Sequence, residues 1–302
     1  MKDNVHVVIV TYNRAEYLKI CLESIVAQTV QVSRITIFDN FSTDNTLEML
    51  RGLIEIGYPI TVIQSEDNLG SAGGFSGLFQ YAKENPSDWV WVMDDDVDPD
   101  KNCLYEMLDA SSGFDVVQAN RYNIDGSFMF LYSKINVKNP FSSLLKGPVN
   151  GADFIGKVKE INFFPFEGPL IRWAMIDLLA LPKKDYFIIC DDLEYSYRVQ
   201  SVGGRAGLCG SALMRRQILP KHSINFDWKN YYDFRNRVFF DMEHAGFVFA
   251  IIRGVSWMAR QVILSVFRRR DLMSFKILIV ATIHGIFNIK MKHNEIMKIS
   301  TR

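Results

Sequence analysis

Residues 89–98 read WVWVMDDDVD, and no other stretch limits the fold as strongly. Five large apolar residues, Trp89 to Met93, run without polar alternation into Asp94, Asp95 and Asp96. A short aromatic and β-branched run of this kind reads as a strand buried on both faces, as in parallel sheets. The carboxylates then stand where the strand leaves the sheet, at the edge where open α/β sheets bind ligands. Three adjacent carboxylates repel one another unless a cation or hydrogen-bond donors compensate. Their hard oxygens suit Mg²⁺ or Mn²⁺. A solvated acidic turn is the plainer alternative, with Asp98 as N-cap and Pro99 as first residue of a following helix. That accounts for Asp98, but not for three acids packed against a buried strand.

The 302 residues allow one large domain, or a catalytic domain with an appendage. A formal net charge of 0 gives no reason to expect a nucleic-acid partner. The neutrality hides an asymmetry. Residues 246–302 carry ten Lys/Arg against two Asp/Glu, a net of +8, and residues 1–245 carry 24 against 32, a net of −8. An acidic body with a basic, apolar tail is a positional signal. Cys21, Cys103, Cys190 and Cys209 lie far apart with no CxxC pair. Neither a zinc site nor a disulfide framework is indicated, and reduced thiols in a cytosolic compartment are expected. The apolar run at Val5–Val10 is too short for a signal peptide.

Along the chain, Val5–Val10 reads as a first buried strand. Asn13 serves as N-cap of the next helix, with Glu16 completing a capping-box-like pair. Ile35–Phe38 is a second strand ending in Asp39, then a helix over residues 46–56, and Ile60–Ile63 is a third strand. Asn68, Gly70, Gly73 and Gly74 mark a turn that opens a helix reaching about Lys83. The acidic strand is fourth, and Val116–Ala119 makes another. Strand–helix alternation with short links means βαβ units and a parallel sheet. The glycine turn has two readings, close approach of a phosphate to a helix N-terminus or tight packing of helix on sheet. It is neither GxGxxG nor a Walker sequence. Residues 120–159 show no clear period.

Four motifs thus stand in order at strand ends: VTYNR at 10–14, FDN at 38–40, NLGSAGG at 68–74 and WVMDDD at 91–96. Together they resemble a family 2 glycosyltransferase with the GT-A fold, over roughly residues 5–245. The triple Asp and the FDN look more like the galactofuranosyltransferase branch than the general family. The resemblance implies that Asp39 contacts the nucleotide base and that the glycine turn shapes the nucleotide-sugar site. It implies that Asp94 and Asp96 form a DxD-type pair, with Asp96 the direct metal ligand and Asp94 a nucleotide contact. Thr11, Tyr12, Arg14 and Asp95 would belong to the same donor site.

Further motifs follow. Glu167 and Arg172 are charged residues in an apolar frame, either an ion pair or, as the resemblance implies, a lining of the donor pocket. The run Phe187–Cys190 again delivers paired carboxylates, Asp191 and Asp192, into a helix. One of them reads as an N-cap, which leaves one acid over. Transfer to a hydroxyl needs a carboxylate that takes its proton. DDLEY at 191–195 matches the family's catalytic acid pair, which makes Asp192 the base and Asp191 its support. His222 in LPKHS would complete the metal shell by the same resemblance, since imidazole ligates Mn²⁺-type ions. YYDFRN at 231–236 resembles a motif of bacterial galactofuranosyl- and rhamnosyltransferases. There Arg235 either faces the diphosphate or ties its helix to the acidic body.

In the tail, the stretch 247–267 is apolar at helical spacing with a narrow polar stripe of Arg253, Ser256 and Arg260. Arg268–Arg270 follow, then a second apolar stretch from Met273 to Asn288. Two arginines make the first costly as a membrane span, and the second is short for one. An interfacial amphipathic pair on an anionic membrane is expected, with Trp257 near the interface. The alternatives are packing on the catalytic domain and pairing between subunits of a homo-oligomer. The expectation is therefore an α/β, GT-A-type, mostly parallel sheet with flanking helices at 1–245, plus a C-terminal helical appendage at 246–302. By the resemblance it would be an inverting, metal-dependent hexosyltransferase, and by its tail it would sit at the cytoplasmic face of the cell membrane. UDP-galactofuranose would be its donor and a hydroxyl of a lipid-linked glycan its acceptor. A dTDP-rhamnose-dependent transferase is the nearest rival, and a non-catalytic nucleotide-binding protein is the bland one. A sugar nucleotidyltransferase would need a glycine-rich loop where VTYNR has no glycine.

Overall fold

The computed structural model describes residues 3–219, 228–268, 272–291 and 293–300. The chain divides into two compact units. One comprises residues 1–134, 147–184 and 192–219; the other comprises 135–146, 185–191 and 220–302.

The elements of the first part of the chain are β1 (Val5–Thr11), α1 (Ala15–Val26), β2 (Arg34–Asp39), α2 (Thr46–Glu55), β3 (Ile60–Gln64), α3 (Gly70–Glu84) and β4 (Trp89–Asp94). Then come β5 (Val97–Pro99), α4 (Cys103–Asp109), β6 (Val116–Asn123), β7 (Phe130–Ile135), β8 (Leu145–Asn150) and β9 (Val158–Ile161). The series ends with β10 (Pro169–Arg172), α5 (Trp173–Leu178), α6 (Asp191–Ser201) and β11 (Ala206–Arg216). The sheet order is β3-β2-β1-β4-β10-β6-β11-β5, with β9 also on β11. β3, β2, β1, β4, β6 and β11 all point the same way, and β10 is inserted antiparallel between β4 and β6. The βαβ grammar explains the parallel part, because each helix returns the chain to the same edge.

β4 is buried on both faces. Trp89, Trp91 and Met93 pack on one side with Leu18, Leu22 and Ile25 of α1. Val90 and Val92 pack on the other with Phe75 and Phe79 of α3 and with Phe166 and Tyr195. Phe75 and Phe166 lie 4.7 Å apart and Phe79 and Tyr195 5.1 Å apart, so aromatic packing fixes α3 and α6 on that face. All four cysteines are buried, and none of them forms a disulfide with another.

Three local expectations are corrected, and one stretch left open by the sequence is filled. Asn13 does not cap α1. It sits at φ 53° and its Oδ1 accepts from the Thr43 and Asp44 amides, while Asp44 caps Ala15 N at 3.2 Å. The neighbouring turn thus supplies the cap that the local sequence was expected to supply. Asp98 and Pro99 do not open a helix; they lie in β5, paired with β11, and α4 begins only at Cys103. The unreadable stretch 120–159 continues β6, then forms the β7–β8 hairpin pair and β9. Phe187–Cys190 is not a strand: Phe187, Ile189 and Cys190 have φ of 59°, 67° and 70°. Left-handed backbone at an Ile is strained and needs support from its surroundings. Asn236 gives that support within the second unit, donating from Nδ2 to the carbonyls of Tyr186, Ile188 and Ile189 at 2.7–2.8 Å.

The second unit holds α7 (Trp228–His244), α8 (Phe247–Arg268), α9 (Leu272–Ile286) and α10 (His293–Ser300). Tyr231, Tyr232 and Phe234 of α7 pack with Ile277, Leu278 and Ala281 of α9 and with Trp257 of α8. A Cβ at Gly285 would lie 2.6 Å from Arg235 O, so glycine lets α9 approach α7 closely. α7 therefore shares a core with the tail helices, and this compact unit starts before the expected boundary at 246. Among the described residues no helix is long and apolar enough to cross a membrane.

Candidate active site

The carboxyl ends of the parallel strands gather the charged residues. β1 ends at Thr11 and β4 at Asp94, with Val10 and Asp94 in register. Thr11 Oγ1 donates to Asp95 Oδ2 at 2.8 Å, and Arg14 Nη1 donates to Asp95 Oδ1 at 2.9 Å and Asp96 Oδ2 at 3.2 Å. Asp95 and Asp96 are buried. Asp94 keeps an accessible edge, and among the described residues its carboxylate has no hydrogen bond or ion pair.

Glu167 lies just before β10, which starts at this edge because it runs antiparallel to β4. Its carboxylate pairs with Arg121 of β6 and lies 3.9 Å from Arg216 at the end of β11. Asp192, in the first turn of α6, accepts from Leu193 N at 2.7 Å and lies in the electrostatic reach of Glu167 and Arg121. One unit thus brings together Asp94, Asp95, Asp96, Glu167 and Asp192 with Arg14, Arg121 and Arg216.

Burial dominates the protonation of this cluster. It pushes the Asp94 carboxyl well above the usual range, helped by Glu167, Asp96 and Asp95. Asp95 is pushed up to about 6 by burial, against the pull of Arg14. Burial also raises Asp96, opposed by Arg14 and reinforced by Glu167. Burial pushes Glu167 up too, but Arg121 and Arg216 outweigh it and hold that acid below its ordinary value. Asp192 rises to about 6, chiefly through burial, with the Leu193 amide opposing and Glu167 adding. Carboxylates with separated affinities for protons are what acid–base and metal chemistry use.

The sequence-predicted residues divide into groups. Asp94, Asp96, Glu167 and Asp192 converge on the cluster just described. Tyr12 is exposed beside it in the chain, and Arg14 bridges Asp95 and Asp96. Asp39 is buried at the end of β2; Oδ1 accepts from Ser42 N at 3.2 Å, and Oδ2 is a buried acceptor without a donor among the described residues. Thr11 and Asp95 are corrected from ligand contacts to frame, since they are buried against each other. Asn68 is likewise occupied, accepting from Asn40 Nδ2 at 3.1 Å and Gly70 N at 2.9 Å.

Gly70 has φ 70°, which the turn requires. Gly73 and Gly74 are packing glycines: a Cβ would come within 2.4 Å of Leu69 Cβ at the former and 2.7 Å of Val10 Cγ1 at the latter. Arg172 is removed from the site. It pairs in register with Trp89 at the opposite edge, stacks on that ring at 4.3 Å and donates to Phe114 O. Arg235 is buried in the second unit, donating to Asp185 O at 2.6 Å, Asn236 Oδ1 at 2.8 Å and Asn288 Oδ1 at 2.9 Å, so it presents no free fork to a diphosphate. His222 lies outside the described residues. Asp191 is the buried first residue of α6. Arg121 and Arg216 went unnoticed in the sequence; their signal was a cation near the carboxyl end of a buried strand.

The donor set fits a hard divalent cation. Among the described residues Asp95 and Asp96 share Arg14 as their one ion-pair partner and Asp94 has no ion pair, so the cluster lacks compensation that a dication supplies.

Residues 6–165 match the Glycosyl transferase family 2 model, more than half of the chain, and the chain belongs to that family. Galactofuranosyltransferase GlfT1 of Mycolicibacterium smegmatis is 26% identical over 212 residues, covering 68% of each chain. Mannosyltransferase PcManGT of Pyrobaculum calidifontis, solved with GDP-Man and Mn²⁺, matches with a TM-score of 0.59 at 15% identity, over 96% of this chain and 89% of that one. GalNAc-T7, solved with UDP, GalNAc and Mn²⁺, gives a TM-score of 0.62 at 15% identity over 80% of this chain. The chain spans about half, 48%, of the length of GalNAc-T7. These likenesses establish the GT-A fold expected from the motifs.

Proposed function

We propose that this glycosyltransferase moves galactofuranose from UDP-galactofuranose to a hydroxyl of a glycan acceptor, with inversion. The observation that carries the reading is the joining of Asp94 and Asp96 with Glu167 and Asp192 at one sheet edge, in a chain similar to a galactofuranosyltransferase along two thirds of its length. Asp94 and Asp96 would hold Mn²⁺ or Mg²⁺, which supplies charge neutralisation for a leaving diphosphate. Asp192 accepts the acceptor's hydroxyl proton. The hydroxyl oxygen forms its bond to the anomeric carbon as the bond from that carbon to the diphosphate oxygen breaks, and the nucleoside diphosphate leaves. Glu167, clamped by Arg121 and Arg216, is fixed as an anion beside the reacting groups. Asp39 offers its unsatisfied Oδ2 to an N–H of the nucleotide base.

With Mn²⁺ present, UDP-galactofuranose should be consumed faster than UDP-galactopyranose, UDP-glucose or dTDP-rhamnose. Selective turnover of dTDP-rhamnose would replace the donor assignment with the rhamnosyl one.

The acceptor we propose is lipid-linked, with the tail attached to the cytoplasmic membrane face. Phe247, Val248 and Ile263 on α8 and Phe287 just after α9 are exposed, in a segment carrying a net of +8 from ten basic against two acidic residues. Exposed apolar groups beside basic ones suit an anionic leaflet, where each Lys/Arg near the surface contributes about 1 kcal/mol. The protein should sediment with anionic vesicles and release with salt. A dimer that stays in the supernatant with such vesicles would make these surfaces an oligomer interface instead.

A further inference from the structure

Of the polar stripe of α8, Ser256 and Arg260 are exposed, but Arg253 is buried. Arg253 is 8% exposed, and its Nη1 pairs with Asp241 of α7. Its Nη2 donates to the carbonyls of Asn136 at 2.8 Å and Asn139 at 3.2 Å. Arg253, Ser256 and Arg260 all line a cavity of about 280 Å³ within the second unit, the last two at its solvent side. Its other walls include Trp257, Phe141, Leu144 and Val238.

Three guanidiniums border this space, and among the described residues two of them have a carboxylate partner. Arg253 has Asp241. Arg237 has Asp233, with Nε to Oδ1 at 2.7 Å, and its guanidinium stacks on the Trp257 ring at 4.6 Å. Arg260 is exposed and, among the described residues, has no ion pair or hydrogen bond. Two neutral pairs therefore leave one positive charge at the cavity. Independently, the buried Nε of Arg253 has no acceptor among the described residues. A buried charged donor without a partner is costly, and the cost is relieved when an acceptor enters. Charge and donor together call for an anion with hydrogen-bond acceptors, and guanidinium forks match phosphate oxygens. The apolar walls of Trp257, Phe141, Leu144 and Val238 have no use for a bare inorganic ion; they match a hydrocarbon attached to it.

We propose that this cavity binds the phosphate head of a phosphate-bearing amphiphile, with Arg260 and Arg253 on the phosphate and Trp257 against the attached carbon chain. The site stands on the second unit alone and requires nothing of the donor assignment. A free phosphate ester and a lipid both carry the chemistry it takes, a singly or doubly charged phosphate with an apolar substituent.

The test uses the full chain and octyl phosphate below its micelle concentration, read by indole fluorescence and by calorimetry. Saturable binding is expected. Trp257→Phe should remove most of the fluorescence change while calorimetric binding persists. Arg260→Gln should weaken binding about tenfold, the worth of one charge-assisted hydrogen bond. This variant removes an exposed side chain outside the transferase site. Octanol and inorganic phosphate should each bind at least tenfold more weakly than octyl phosphate, a comparison that needs only the wild type. Equal binding of octanol would leave an apolar pocket and overturn the anion assignment. Equal binding of inorganic phosphate would overturn the amphiphile. An unchanged affinity in Arg260→Gln, or association with phosphatidylglycerol vesicles without any saturable binding of monomeric octyl phosphate, would also overturn the site. None of these readouts involves turnover, so a wrong donor assignment would leave them unchanged.

Discussion

Asp96→Asn is expected to lower turnover by on the order of 10³-fold or more while the protein stays folded, because a neutral amide is a poor ligand for a hard dication. The fold should survive because Asp96 sits among like charges. Asp94, Asp95 and Glu167 crowd it, and Arg14 retains Asp95 as a partner when Asp96 is neutralised. A carboxyl whose folded affinity for protons is raised contributes stability at low pH that is lost as pH climbs through its folded value. With Asp95 at about 6 against an ordinary 3.8, the metal-free protein should lose stability as pH rises through that interval. Asp96→Asn removes one of the repelling charges, so the metal-free variant should melt no lower than the wild type above pH 6. Mn²⁺ should raise the melting temperature of the wild type and leave the variant's nearly unchanged. Wild-type turnover that persists in excess EDTA would refute the metal reading, whatever the variant does.

What was legible in the sequence was what depends on one strand at a time. The both-faces burial of β4 is written in five consecutive large apolar residues, and the edge at which Asp94 stands follows from strand polarity in a βαβ chain. Arg172 was misplaced because the direction of β10 cannot be read from PLIR. An antiparallel insertion sends the residue before the strand, Glu167, to the site and the residue at its end, Arg172, to the far edge. Arg121 and Arg216 were missed for a related reason. Their partner is Glu167, some 46 and 49 residues away in the chain, so nothing local joins either cation to its acid.

Capping failed similarly. Asn13 had the right residue type and spacing, yet its side chain accepts from the Thr43 and Asp44 amides, and Asp44 caps α1 across the turn. Glycines 73 and 74 show the opposite case. Both readings were open in the sequence, and the distances to Leu69 and Val10 select packing. Within the tail's polar stripe Arg260 is exposed as expected and Arg253 is not, because amphipathic spacing shows only which residues share a face. It does not show what covers that face, and Asp241 covers Arg253.

Asp192→Asn is expected to reduce turnover by roughly 10²- to 10⁴-fold, the usual worth of a positioned general base. Nucleotide-sugar binding should persist, since the substitution leaves Asp94, Asp96 and Glu167 in place. The side chain is well placed for the role by both geometry and charge. It stands in the first turn of α6, where Leu193 N fixes one oxygen at 2.7 Å and leaves the other for a substrate proton. Burial and the nearby Glu167 anion raise its proton affinity to about 6, which makes it a stronger base than a solvated aspartate while it remains ionised near neutrality. The sign for activity is therefore fixed. In the wild type the rate should fall as pH drops through about 6, with one proton taken up per active site, and should be flat above that until another group titrates. In Asp192→Asn that acid limb should vanish from the residual activity, because the group that titrates is gone. Measuring the rate against pH in both proteins at saturating donor separates this from a loss of binding. A variant that keeps the wild-type rate, or keeps the limb near pH 6, would move the base to another carboxylate.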